Sequence, residues 1–395
     1  MKFTHLADCH LGGWREPKLK ELNNKSFCYV IDHSIRENVD FVLIAGDLFN
    51  TALPDMESLQ VCIKELKKLK DRHIPVYFIA GSHDFSPSGK TMLSIIESAG
   101  LGINAAKGDV IDNKLRLKFV VDLKTGVKIT GIIGKRGGLD VKYYEELLRD
   151  HLENEPGYKI FMFHCALNEF KPKGFEKMEG MNVSYFPKGF DYYAGGHVHV
   201  LQKNSLESYP TIVYPGPVFP NNFHELETLN HGSFVIVENG EINHVPVKFH
   251  ETISLRVNCD NKSVEQVKKE LDELLKNEVK NSIITLKLKG VLSSGKPSDI
   301  NFSEIVNKFL EKGAFAVLKN TSQLQSKDFE EIKIKTENIE DVEINLIKEH
   351  LGQQEMSQEL VQKLMHLLST EKFEGEKNYD YEKRIISDVE KMIIN

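Results

Sequence analysis

Apolar and polar positions in the first half of the chain follow a repeating order: a short apolar run, a polar tip, then a stretch with helical spacing. Phe3 to Ala7 is an apolar run that leads directly into Asp8. A helical stretch follows over about 19–38, with Leu22, Ser26, Tyr29, Val30 and His33 near one face. Phe41-Val-Leu-Ile-Ala45 is the next run and stops at Gly46-Asp47. A second helix, about 55–71, carries Leu59, Ile63, Leu66 and Leu69, and a third run, Ile74 to Ala80, enters Gly81-Ser82-His83-Asp84. Such runs predict buried strands of an α/β layer, which places its sites at the carboxyl ends of strands.

From Arg116 onward strands dominate the pattern, over 116–121, 127–133, 158–163, 191–194, 211–214, 233–237 and 242–249. Two of these also run into histidines, Ile160-Phe-Met-Phe163 into His164 and Tyr192-Tyr-Ala-Gly-Gly196 into His197-Val-His199. Gly195 and Gly196 permit close backbone approach and a sharp turn there. Near Ile253 a second unit begins: strand 254–258, helix 263–276, strand 282–289, helix 303–312 and strand 314–319. The polar stretch Thr321 to Lys335 reads as a boundary. Beyond it, Leu360, Leu364 and Leu368, and then Tyr381, Ile385, Val389 and Ile393, recur at helical spacing. The predicted domains are therefore 1–250, 251–335 and 336–395, in keeping with a length of 395 residues, above the roughly 250–300 that one core accommodates.

Composition narrows the class. With 41% hydrophobic and 28% charged residues the chain reads as an ordinary globular protein. No apolar run approaches the ~18 residues that a membrane span needs, and the start lacks the apolar core of a signal peptide. Five scattered cysteines without a CxxC pair argue against a disulfide framework or a zinc ribbon, so a reducing, cytoplasmic location is expected. The formal net charge of −7 gives no broad basic face. Any polyanion must then be held locally, for instance by bound cations, and composition alone favours a small-molecule substrate.

The chemistry lies in the strand tips: Asp8-x-His10, Gly46-Asp47, Gly81-Ser82-His83-Asp84, His164 and Gly196-His197-x-His199. Any one of these residues alone is more often a turn former or cap than a ligand. Together, each after an apolar strand, they converge on one sheet edge, where residues i and i+2 share a face. Asp and His donors without thiolate suit Mn²⁺, Fe²⁺ or Zn²⁺, and their number suits two ions. Two cations sharing a carboxylate clamp a phosphate and supply a nucleophile for in-line attack, and Asp47 is the natural bridge. His83 is the candidate for stabilising charge on the phosphate or leaving oxygen, with Asp84 as its orienting partner. Cys9 lies between Asp8 and His10 and is expected to point the other way, into the core. His224 and His231 are weaker candidates for phosphate contact. Ser88-Gly89-Lys90-Thr91 imitates a phosphate-binding loop, but four residues before Gly89 the loop's first glycine is absent, so no nucleotide site is expected.

This set resembles the calcineurin-like metallophosphoesterases, whose pattern is DxH, GD, GNH(D/E), H and GHxH. Within that superfamily the chain is most similar to break-repair nucleases of the SbcD and archaeal Mre-eleven type. The carrying residues are His5-Leu-Ala-Asp-Cys-His-Leu-Gly12, Phe41-Val-Leu-Ile-Ala-Gly-Asp-Leu-Phe49, Gly195-Gly-His-Val-His199 and Val213-Tyr-Pro-Gly216. The resemblance is close over 1–220 and looser beyond. It implies a two-sheet αββα sandwich with a small α/β capping domain and C-terminal helices. It also implies a Mn²⁺-dependent exonuclease and single-strand endonuclease acting on DNA, with Mg²⁺, Fe²⁺ or Zn²⁺ as alternative ions. A homodimer is implied as well, its C-terminal helices binding an SMC-like ABC ATPase of the SbcC type. One ion would take Asp8, His10, Asp47 and His199, the other Asp47, His164 and His197.

Two positions depart from the family pattern. Ser82 stands where an Asn amide oxygen completes the second ion's ligands, and a neutral hydroxyl is a poorer ligand. Asn50 stands where the related archaeal enzymes carry a histidine. Two other readings stay open: a DNA-end-binding scaffold with little or no catalysis, motivated by Ser82, and a small-substrate phosphodiesterase, which would need neither the second unit nor the helical tail.

Overall fold

The computed structural model describes residues 1–86, 91–172, 174–175, 178–327, 367, 370 and 378–394. In chain order the elements begin β1 (Lys2–Leu6), α1 (Pro17–Arg36), β2 (Phe41–Ala45), α2 (Met56–Asp71), β3 (Val76–Ile79), α3 (Met92–Ser98) and β4 (Ile103–Asn104). A hairpin of β5 (Gly108–Ile111) and β6 (Lys114–Leu117) leads to β7 (Val120–Val121), β8 (Lys128–Gly131), α4 (Val141–Glu145), α5 (Asp150–Glu153), β9 (Lys159–His164) and β10 (Tyr192–Gly196). Then come β11 (Leu201–Leu206), β12 (Tyr209–Pro215), α6 (Phe223–Leu229), β13 (Gly232–Glu238) and β14 (Glu241–Val247).

Two six-stranded sheets result, in the orders β14-β13-β1-β2-β3-β4 and β11-β12-β10-β9-β8-β7. Period-two alternation decides what each strand faces. Phe41, Leu43 and Ala45 of β2, with Phe3, Ile160, Met162, Ala194 and Val213, fill the layer between the sheets. Val42 and Ile44 turn outward onto Phe27, Val30, Ile31, Leu66 and Leu69 of α1 and α2. On the other sheet Phe161, Phe163 and Tyr193 turn outward onto Tyr144, Leu152 and Phe186. This is the expected αββα sandwich. α1 starts where Glu16 accepts the Leu19 N–H and Pro17 supplies a preset φ, and α2 where Asp55 accepts the Ser58 N–H.

β1, β2 and β3 run parallel in one sheet, β9 and β10 in the other. Their carboxyl ends lead into Asp8, Asp47, Gly81–Asp84, His164 and His197. The strand order therefore gathers five separate chain segments.

A smaller unit follows: β15 (Thr252–Asn258), α7 (Val264–Leu274), β16 (Ile283–Leu292), α8 (Phe302–Glu311) and β17 (Ala316–Ser326), in the sheet order β15-β16-β17. Its own core includes Val257, Val267, Leu271, Leu286, Leu288, Ile305 and Phe309. β17 continues through Ser326, so 321–326, read from the sequence as a polar boundary, is strand. Leu324 and Ser326 are buried while their neighbours face out, and a strand with one wet face carries that polarity. Met1–Gln325 form one compact unit and Ser326–Asn395 another. Of the second, α9 (Asn378–Ile394) contains the predicted stripe, with Ile385 buried and the Tyr381 hydroxyl donating to the Thr370 carbonyl at 2.9 Å. The predicted stripe at Leu360, Leu364 and Leu368, and Ser88 to Lys90, lie outside the described residues. Among the described residues no helix is long and apolar enough to cross a membrane.

Candidate metal centre

The turns after β1 and β2 are laced together. Asp8 N–H donates to the Gly46 carbonyl at 3.1 Å, His10 N–H to Asp47 at 3.0 Å and Leu11 N–H to Leu48 at 3.1 Å. Lacing two strand exits side by side forces unusual backbone. Asp8 (φ 52°), His10 (43°), Asp47 (53°), His197 (94°) and His199 (55°) all lie in the left-handed region that side chains rarely adopt. Such strain costs about 1–3 kcal/mol per residue and persists only where the surroundings impose it. Five of the predicted ligands share it. Cys9, between two of them, is buried in the core as expected.

Close approach also demands glycine. Gly46 has φ 88°, and a Cβ there would stand 2.2 Å from His164 Nδ1. A Cβ on Gly196 would stand 2.2 Å from the Ala45 carbonyl oxygen.

The side chains meet. Ligand atoms of Asp8, His10 and His199 lie within 4.8 Å of one another, and so do those of Asp8, Asp47 and His164 and those of His10, Asp47 and His83. His10 Nε2 is 3.0 Å from His199 Nε2 and 3.7 Å from Asp47 Oδ2. His199 Nε2 is 3.5 Å from Asp8 Oδ1, and His164 Nε2 is 3.1 Å from Asp47 Oδ2. The backbone N–H of His197 donates to both Asp8 oxygens at 3.0 Å, while its ring lies 5.2 Å from that of His164, centroid to centroid. Ser82 Oγ is 3.4 Å from Asp47 Oδ2.

Electrostatics mark the cluster as a cation site. Burial opposes charging His164, yet Asp47 and Asp8 outweigh it and carry the ring up to about 9. Burial is likewise overcome at His199, which Asp8 and Glu225 raise well above the usual imidazole range. Burial and neighbouring imidazoles lower His10 and His197 to about 4. Against their own burial, Asp8 and Asp47 are held below the ordinary carboxylate range by the imidazoles they face. Buried carboxylates that pull protons onto adjacent rings are demanding positive charge, and a divalent cation supplies it by displacing those protons. Donors about 2.1 Å from a shared ion stand about 3.0–3.4 Å apart, and the closest spacings here fall in that range. The residues fit divalent metal.

His83 borders the cluster, its ring 4.7 Å from that of His10. Its N–H donates to Asp47 Oδ1 at 2.7 Å, and its Nδ1 donates to the Asn50 carbonyl at 2.8 Å. The hydrogen bonds of Asp84 run to backbone rather than to the His83 ring. The Asp84 carboxylate accepts the N–H groups of Phe49 at 3.0 Å and of Leu48 and Gly81 at 3.1 Å each, pinning the turn after Asp47 to the turn after β3. Burial and the Asp47 charge push its carboxyl up to about 7, against those three donors.

Glu225 was not expected. Its Oε1 accepts from His199 Nδ1 at 2.9 Å and its Oε2 accepts the Asn221 N–H at 2.7 Å. The one sequence signal was Asn222-x-x-Glu225, a helix-start pattern in which Asn222 does cap α6. His224, on the same helix, is exposed, and His231 Nδ1 donates to the Gly232 carbonyl at 2.8 Å. A cleft of about 500 Å³ opens beside the cluster, lined among others by Ser82, Lys135, Asp140, His164, Glu179 and His197. A cleft of similar size at the opposite strand ends, lined by Lys70, His73, Tyr77 and Lys124, contains none of these groups.

A buried carboxylate–imidazole cluster at the carboxyl edge of an αββα sandwich, open to a cleft, is the site of a metal-dependent phosphoesterase. Residues 1–201 match the family described as calcineurin-like phosphoesterase, and the chain belongs to that family. Relatives resemble it over more of its length. DNA double-strand break repair protein Mre11 of Archaeoglobus fulgidus is 26% identical over 432 residues, covering 99% of this chain and 95% of its own. The protein of that name from Sulfolobus acidocaldarius is 29% identical, covering 85% of this chain and 87% of its own. That from Methanococcus maripaludis is 34% identical, covering 53% of this chain and 56% of its own.

Proposed function

We propose that this phosphoesterase is the nuclease subunit of a DNA double-strand-break repair complex, acting as a 3′–5′ exonuclease and single-strand endonuclease with Mn²⁺. The observation that carries the reading is the length of the similarity. It runs to one relative named for break repair over 99% of this chain and to another over 85%, whereas the phosphoesterase family match ends at residue 201. A small-substrate phosphodiesterase needs neither β15–β17 nor the residues beyond.

Asp8, His10, Asp47 and His199 would hold one ion, and Asp47, Ser82, His164 and His197 the other. Such a pair supplies phosphate neutralisation and an activated nucleophile for in-line attack. His83 would stabilise charge on the phosphate or the leaving oxygen, its ring held through Nδ1 by the Asn50 carbonyl and set beside that of His10. The acidic net charge is compatible with DNA because two divalent ions add about four positive charges where phosphate sits. The organisation in this reading is nuclease domain 1–250, capping domain 251–335 and helical segment 336–395, in the nucleoid-associated cytoplasm. That segment would bind an SMC-like ATPase, a reading supported by the exposed Ile386 on α9. Exposed Leu53, Met56 and Ile95, on and beside α2 and α3, support a homodimer.

The test is turnover on hairpin and single-stranded DNA against bis(p-nitrophenyl) phosphate, with Mn²⁺ and with chelator. DNA cleavage that needs Mn²⁺ and falls in His83→Ala is expected; activity confined to the chromogenic ester would favour the small-substrate reading. The scaffold reading draws on one observation, the hydroxyl rather than amide at Ser82 beside Asp47. An inert wild type holding one ion, with nuclease activity gained in Ser82→Asn, would select it.

A further inference from the structure

Three consecutive residues of α6 face three different parts of the molecule. Glu225 meets His199 of the metal centre at 2.9 Å. Leu226, fully buried, packs with Ile283 of β16 and Ala316 of β17, and with Leu19 and Leu22 of α1. The Glu227 carboxylate, 2% exposed, pairs with Arg256 Nε of β15 at 3.1 Å and faces Lys287 Nζ of β16 at 4.0 Å. Just past the helix, Thr252 Oγ1 of β15 donates to the Asn230 carbonyl at 3.0 Å. A helix of seven residues is too short to be held by its own hydrogen bonds. Its place is set by what its side chains grip, and most of that grip is on the β15–β17 unit.

Glu225 acts through the imidazole. Because its carboxylate takes the Nδ1–H, His199 presents Nε2 to the centre, 3.0 Å from His10 Nε2 and 3.5 Å from Asp8 Oδ1. Partners of this kind fix ring tautomer and direction, and their loss typically costs about 10–100-fold in metal affinity.

We propose that α6 couples the β15–β17 unit to the metal centre: docking of the unit through Leu226 and Glu227 sets Glu225, and Glu225 sets His199. Glu225 is thus a positioning residue. A ligand that shifts the unit changes the affinity of the ion held by Asp8, His10 and His199, and that ion changes the unit's affinity for the ligand by the same factor. The proposal rests on the divalent-ion reading of the centre and on no choice of substrate.

The test is titration of the full chain with Mn²⁺, followed by calorimetry and by the electron paramagnetic resonance signal of free Mn²⁺. Glu225→Ala weakens one Mn²⁺ by about 10–100-fold and spares the other. Glu225→Gln, which keeps an acceptor for Nδ1–H, recovers most of the loss. The decisive variant is Arg256→Ala with Lys287→Ala, which removes the partners of Glu227 without touching the centre. It weakens the same ion by about 2- to 30-fold and speeds amide exchange across 223–229. Because the double variant leaves the buried Glu227 without these partners, a thermal melt checks that the fold stands, and Glu227→Gln, which breaks the pairing without stranding a charge, is expected to weaken the same ion. If the double variant binds both ions as the wild type does, the coupling is refuted even where Glu225→Ala is weakened. A wild type that takes up no Mn²⁺ overturns the metal centre itself, which is a different failure.

Discussion

At the scale of single residues, the centre divides labour between groups that hold charge and groups that hold those groups in place. Asp47 belongs to the first kind: its Oδ2 faces His10 and His164, and its Oδ1 accepts the His83 N–H. Asp47→Asn keeps the shape and removes the charge, so bound metal, counted by mass spectrometry, is expected to fall below the wild-type number and turnover to drop by at least about 10³-fold. His83 touches the cluster edge through its ring, and His83→Ala should cost about 10²–10³-fold in turnover at unchanged metal content. Loss of metal in that variant would make His83 a ligand instead. Ser82→Asn offers an amide oxygen in place of a hydroxyl and should tighten the weaker ion in a Mn²⁺ titration. The holding groups were harder to read from sequence. Asp8, His10, His197 and His199 announce themselves by DxH and HxH spacing at strand ends. Glu225 reaches His199 from a separate helix, and nothing in its neighbours' spacing marks that. Asp84 was legible as part of the site but not in its role, because a carboxylate spent on three backbone amides looks in sequence like one spent on its adjacent histidine.

At the scale of elements, the turns matter more than the strands. Gly46→Ala must place a methyl 2.2 Å from His164 Nδ1 at φ 88°. The left-handed backbone alone costs about 1–2 kcal/mol, so a lowered melting temperature and reduced metal uptake are expected together. A variant as stable as the wild type would mean that the turn after β2 is not pinned as described. Asp84→Ala strands three buried N–H groups at about 1–3 kcal/mol each and should destabilise the fold in urea titration more than Asp47→Asn does. Strands buried on both faces, such as β2 and β9, were legible because β2 is apolar throughout and β9 is apolar from Ile160 to Phe163. β11, at a sheet edge and polar from Gln202 to Ser205, was not, nor was α6, whose seven residues give helical periodicity too little room. β17 was cut short for the same reason that β11 was missed: one of its faces is wet.

At the scale of the whole chain, the strand order does the chemical work of assembly. Five loops, far apart in sequence, meet because parallel strands of two sheets end at the same edge. Two carboxylates and two imidazoles are buried there against their own desolvation, with two more imidazoles half-buried beside them, and metal should repay that cost. Chelation is therefore expected to lower the melting temperature, and added Mn²⁺ to raise it progressively with concentration, as binding to the folded state alone requires. A melting temperature indifferent to both would leave the burial of these groups unexplained. The β15–β17 unit was legible in outline, since its helices and strands carry separate apolar stripes, but its seam with the sandwich was not. Leu19, Leu226, Ile283 and Ala316 lie in four different elements and Phe219 in the loop before α6, and only the fold brings them together. The centre itself is best examined by a manganese-edge anomalous difference map from crystals grown in excess Mn²⁺. Two peaks about 3.5–4 Å apart, flanking Asp47 and bounded by Asp8, His10, His164, His197 and His199, are predicted; a map with no peak among those residues would contradict the account.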